Sequence, residues 1–172
     1  MSLFQQTIAA LVESNFATTG IEGSGGCIQF AAATAGLTGQ QAATIPAEGL
    51  NSVWAVVHHI TWLQSHFMKA LQNEPPGPVS AVWPSPGEIE VSDENWESAR
   101  QMALDLNRQL AQKIANLTDE QFAEGLSNWS NIMTFEAIVT LYGHINYHTA
   151  EIVTIRHIQG LRVNHPFAEA LG

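Results

Sequence analysis

Two histidines, His144 and His148, stand four residues apart in the stretch "LYGHINYHTAEIVTIRHIQG", and a carboxylate, Glu151, follows three residues later. In a helix each residue advances by about 100°, so Ala137, Leu141, Ile152 and Ile155 would line one apolar stripe. Both imidazoles fall within about 40° of the centre of that stripe, and Glu151 lies at its edge. Histidines at i and i+4 share one side of a helix with their Cβ atoms about 6 Å apart, which suits two ligands of one metal ion. Each imidazole buried without a partner would cost roughly 1–3 kcal/mol. A shared cation removes both penalties at once, whereas hydrogen bonds within the core remove them singly. The spacing alone leaves both readings open.

A third imidazole can come from "NSVWAVVHHITWLQSHFMKAL", residues 51–71. Val53, Val56, Ile60, Leu63, Phe67 and Leu71 set its apolar face. His59 sits at the flank of that face, and His58 points almost directly away from it. His66 lies two turns beyond His59, about 10 Å along the axis, too far to join the same site. Helical geometry therefore selects His59. The same segment carries Trp54, His58 and Trp62 at i, i+4 and i+8. They form a ridge opposite the core stripe, expected to be an exposed aromatic surface that serves as a subunit contact or a wall of the substrate pocket. His157 is expected to face the dipole at the end of the last helix, and His165 carries no expected role. Cys27 is the only cysteine. "GSGGCIQF" gives it no neighbouring base, so it reads as a small core residue or helix-start thiol rather than a nucleophile.

These side chains need helices to hold them. A short N-terminal helix is expected over residues 3–16, then a flexible stretch "TTGIEGSGG", together forming an N-terminal part over residues 1–25. An Ala-rich helical segment over 27–36 ends at Gly36 or Gly39, and "TIPAEGLN" forms a turn. Asn51 is the expected N-cap of a helix over 52–71 that "NEPPGP" stops. A Pro/Gly-rich crossover over 72–92 follows, of a length typical of functional lids. Ser92 or Asp93 caps a long helix whose Trp96, Ala99, Ala103, Leu106, Leu110, Ile114 and Leu117 step by threes and fours. "TDEQ", residues 118–121, has capping-box spacing, and a last long helix spans 135–159, with Gly160 at its C′ position. No convincing β alternation occurs. The fold expected is all-α, a four-helix bundle with one long crossover.

Length and composition agree with this and remove other classes. At 172 residues the chain is expected to form a single domain with a real core. Apolar residues make up 45% and charged ones 13%, which leaves surface for self-association. Sixteen acidic residues against six basic ones give a formal charge of −10, which argues against nucleic acid and anionic membrane surfaces as partners. "SLFQQTIAALVES" after Met1 lacks a basic region and a long apolar run, so no secretory signal is expected. No segment approaches the ~20 apolar residues of a membrane span. One cysteine excludes an internal disulfide, and a reducing cytoplasm is the expected compartment. There is no HExxH, P-loop or dinucleotide fingerprint, and no Glu-x-x-His pairs for a di-iron site.

On two motifs the chain resembles the DinB/YfiT-like superfamily of metal-dependent helical bundles, over about residues 37–160. "GLTGQQAATIPAEGLNSVWAVVHHITW" resembles the entry into the family's second helix, with His59-Ile60 and Trp62 in register. "GHINYHTAEIVTIRHIQG" resembles the second motif, matched by His144, Tyr147, His148, Ile152, Arg156 and Gly160. Two positions depart from the pattern: Ala150 stands where glycine is common and Glu151 where glutamine is common, which adds a carboxylate beside the metal. The resemblance implies a site of His59, His144 and His148 holding a divalent ion, zinc or nickel, with coordination positions left open, and a homodimer. It further implies a thiol S-transferase-like reaction using a low-molecular-weight thiol, or a hydrolase-like reaction, on a small-molecule substrate. Glu151 would then be a general base, a fourth ligand or an outer partner of His144 or His148. The alternative is a non-catalytic metal-binding or stress-response bundle.

Overall fold

The computed structural model of the protein describes residues 3–17, 28–75, 77–78, 82–84, 89–126 and 131–163. Cys27, His165, the stretch 18–26 and parts of the crossover lie outside them. Among the described residues the chain is all-α, with an isolated bridge between Gly125 and Met133. The helices are α1 (Leu3–Ala17), α2 (Phe30–Thr34), α3 (Gly39–Ala43), α4 (Val53–Leu71), α5 (Asp93–Ala115), α6 (Asp119–Ala123) and α7 (Thr134–Ile158). No described helix is long and apolar enough to cross a membrane.

Short polar side chains start most of these helices. Ser92 Oγ accepts from Asn95 N at 3.0 Å and opens α5. Thr118 and Gln121 form the reciprocal capping box expected for α6. Gly160, at φ +74°, adopts the left-handed turn that ends α7. Two expectations need correcting. The cap of α4 is Ser52, whose Oγ accepts from Ala55 N at 3.1 Å, and not Asn51, whose side chain is directed elsewhere. And residues 39–43, read as lying between a helix and a turn, form α3, opened by a second capping box of Thr38 and Gln41.

Four of the helices are long, and their side-chain partners give their directions. Trp54 near the start of α4 meets Trp96 near the start of α5 edge to face at 5.5 Å, so these two run parallel. The long connection after α4 makes this possible by returning the chain to the end where α4 began. Helix α7 runs antiparallel to α4: Asn51 bonds Glu151, while His59, further along α4, meets His144, further back along α7. Helix α1 runs antiparallel to α5, with Gln5 donating to the Leu117 carbonyl and Asn107 to that of Val12.

The core lies between the four. Phe67 and Ile60 of α4, Trp96, Leu110 and Ile114 of α5, and Leu141 and Ile152 of α7 are fully enclosed, as the three- and four-residue spacing requires. Asn107, wholly buried, donates to the Val12 carbonyl at 3.1 Å and accepts from Tyr142 Oη at 2.9 Å, so its burial is compensated. Arg156, also buried, gives two hydrogen bonds to the Ala33 and Ala35 carbonyls and so fastens α7 to the end of α2.

The aromatic ridge of α4 does not stand free. Trp54 is 6% exposed because α5 packs on the side of α4 read as outward, and His58 and Trp62 are half-buried. Helix α4 lies between α5 and α7, so it needs apolar side chains on two flanks. A single-stripe reading left one of those flanks outside the core, for a partner or a substrate.

Candidate metal centre

His59 enters the site from α4, and His144 and His148 from one side of α7. Their ring nitrogens lie within 4.8 Å of one another. The Nε2 of His144 is 3.2 Å from that of His59 and 2.9 Å from that of His148. The rings are not stacked: neighbouring planes are inclined by 62°, 74° and 75°. Such a fan brings ring edges, and hence nitrogens, to a common point.

The outer nitrogens determine what the inner ones present. His59 Nδ1 lies 3.3 Å from the carbonyl oxygen of Val82, in the connection after α4. A carbonyl can only accept, so Nδ1 carries the proton and Nε2 of the neutral ring is a lone pair. His148 Nδ1 lies 2.7 Å from Glu151 Oε2, and a carboxylate has the same effect. Glu151 is held in turn, its Oε1 accepting from Asn51 Nδ2 at 3.1 Å. Two lone pairs therefore face His144 Nε2, which as a neutral ring can donate to one of them at most.

Protonation of His59 or His144 does not resolve the conflict at neutral pH. Burial, followed by the neighbouring imidazole of His148, pushes His59 from 6.5 down to about 4, against the opposing pull of the Val82 carbonyl. Burial and then His148 also lower His144. A cation resolves it directly. Metal–imidazole bonds of about 2.0–2.1 Å meeting at 90–110° separate the nitrogens by about 2.9–3.4 Å, and both short contacts fall in that range. The donor set, the two separations that meet at His144 and the outer acceptors fit a divalent ion, with all three nitrogens within 4.8 Å of one another.

Two imidazoles are enclosed, His59 at 6% and His148 at 5% exposure, whereas His144 is exposed. The point of convergence therefore opens to solvent beside His144. Trp83 lies flat on His59, 4.1 Å between centroids and 3° between planes. Tyr147 stands edge-on to His148 at 5.0 Å. Glu151 touches the Nδ1 edge of His148, away from the convergent Nε2 atoms. His58 and His66 are not part of the cluster, and His66 stacks on Trp62 instead.

Asn51, Val82 and Trp83 were not anticipated from the sequence as parts of the site. For Asn51 the signal was a better cap next door: with Ser52 available, its amide is free to reach across to α7. For Val82 and Trp83 there was no periodic signal, since they lie in a Pro-rich connection.

Residues 29–152 match the family model of the DinB superfamily. That span holds the three histidines, Asn51, Glu151 and the connection, and leaves out α1. No curated protein and no solved structure matches significantly.

Proposed function

The chain belongs to the DinB superfamily, and from that footing we propose that it is a metal-dependent enzyme whose His59, His144 and His148 hold one divalent cation, zinc or nickel. The observation that carries this reading is the pair of lone pairs, on His59 and His148, aimed at a third imidazole nitrogen that cannot satisfy both. A divalent ion there would supply Lewis acidity to a thiol or a water at its open positions. The residues do the rest. Val82 and Glu151 hold protons at Nδ1 and keep Nε2 available, and exposed His144 leaves the approach open on one side. We assign Glu151 to the orientation of His148, in place of general base or ligand, because its two oxygens are engaged by His148 and Asn51. The reaction is transfer of a thiol to, or hydrolysis of, a small molecule, carried out by a homodimer.

A second reading has its own support. Two buried imidazoles from α4 and one of its packed neighbours, α7, would let an ion staple the helices together without any turnover. Elemental analysis of the untagged protein beside a His59→Ala/His148→Ala double variant tests the common premise. The expected result is about one equivalent of zinc or nickel in the parent and none in the variant. Equal metal content in both would overturn it. Turnover of thiols with a panel of electrophiles separates the two readings. Tight metal, no turnover and a large fall in melting temperature on chelation would favour the staple.

A further inference from the structure

Among the described residues, the rim of the centre carries aromatic rings and no Lys or Arg. Trp83 is 37% exposed; one face of its indole covers His59, and its ring centre lies 6.0 Å from that of His148. Tyr147 is 67% exposed and stands 6.3 Å from His144 and 5.0 Å from His148. These two rings therefore border the cluster, Trp83 from the connection after α4 beside His59 and His148, and Tyr147 from α7 beside His148 and the solvent-facing His144.

Each of the chain's six basic side chains is placed elsewhere. Arg156 and Arg100 bond carbonyls of the α2 region, and Arg108 pairs with Asp105. Lys69 lies ten residues beyond His59, about 15 Å along α4. Lys113 is in the last turn of α5, and Arg162 follows the end of α7. The charged group that bonds the cluster among the described residues is instead an acid, Glu151. Carboxylate and phosphate groups are normally gripped by Arg or Lys, and this rim has neither to offer. Exposed aromatic faces attract flat apolar groups, by stacking or edge contact.

Resting on the metal reading above, we propose that Trp83 and Tyr147 make the centre selective for an uncharged reactant that bears an aromatic ring. The ring packs on the Trp83–Tyr147 rim while its reactive heteroatom reaches the point where the three Nε2 atoms converge. Substrates whose recognition depends on a carboxylate or phosphate handle are disfavoured.

Cobalt(II)-loaded full-length protein, with the sulfur-to-cobalt absorption band as readout, tests this without any turnover. Benzyl mercaptan is compared with cyclohexylmethyl mercaptan, which has similar bulk and no π face, and with mercaptosuccinate. The expected result is benzyl mercaptan bound about five- to tenfold more tightly than the cyclohexyl compound, with mercaptosuccinate weakest. In Trp83→Leu and Tyr147→Leu the preference for the aromatic ring falls to within about twofold. Should Trp83→Leu release cobalt by unseating His59, Tyr147→Leu carries the comparison. No aromatic preference in the parent, a preference undiminished by both substitutions, or mercaptosuccinate binding as tightly as benzyl mercaptan overturns the proposal. Cobalt uptake without that preference leaves the metal reading standing. Failure of the parent to take up cobalt removes both.

Discussion

A neutral imidazole has one nitrogen that donates and one that accepts, so whatever holds the proton on Nδ1 decides the role of Nε2. At His148 that task falls to Glu151, braced by Asn51. Glu151→Gln keeps the shape but removes the charge that strengthens the hydrogen bond and the basicity of the ring. Metal affinity is expected to fall about 10- to 100-fold, measured by competition with a chromogenic chelator, with the circular dichroism spectrum unchanged. An affinity equal to the parent's would show that His148 holds its tautomer unaided. The i, i+4 relation of His144 and His148 was legible in the sequence because helical periodicity is a local property. The choice of His59 over His58 was legible for the same reason. The partners on Nδ1 were less so: Glu151 could be placed beside the pair but not on a particular nitrogen, and the Val82 carbonyl comes from 23 residues away across a non-repeating connection.

Between residue and fold stands the close approach of α3 to α5. The backbone N–H of Gly39 donates to Asp93 Oδ1 at 2.7 Å, so the starts of the two helices touch. A Cβ on Gly39 would overlap the carbonyl of Ser92, a backbone group that cannot rotate aside. Gly39→Ala should therefore destabilise by about 1–3 kcal/mol, visible as a lower urea midpoint with an unchanged slope, despite alanine's better helix propensity. A variant as stable as the parent would mean that α3 can withdraw at no cost. Helix α3 itself was missed, although Thr38 and Gln41 have the same spacing as Thr118 and Gln121, which were recognised. A five-residue helix has no periodicity to support its cap, and the apolar residues within it are alanines. The role of Trp54 escaped for a different reason. One stripe can be read from a helix that packs on one side, but α4 packs against two long helices, α5 and α7, and sequence periodicity does not say which flank is the second.

Over the whole molecule, the site opposes the stability of the metal-free fold as pH falls. His59 is held at about 4 in the folded protein against 6.5 as its ordinary value, so the unfolded chain binds the proton more readily between those limits. The depressed value therefore costs nothing above about 6.5, removes stability as pH drops from there towards 4, and costs its full amount below 4. One such proton contributes up to about 1.4 kcal/mol per pH unit. The urea midpoint of metal-free protein should fall from pH 7 to pH 4 more steeply than that of His59→Ala. Parallel slopes would show that the buried imidazole does not govern the decline. The all-α class and the long helices were legible because three- and four-residue spacing persists for five or more turns in α5 and α7. The parallel course of α4 and α5 was not, because spacing within a helix carries no information about where the next one lies.

The acceptor on His59 is a peptide oxygen, and every amino acid brings one. Exchanging Val82 for another residue therefore leaves that contact chemically intact, so the position can drift over generations while its contribution persists. What would dislodge it is a change in the number of residues between α4 and α5, which shifts the register of the strand of chain lying over the ring. At Val82 the connection is thus constrained in length more than in side-chain identity, and insertions there should be felt at the histidine.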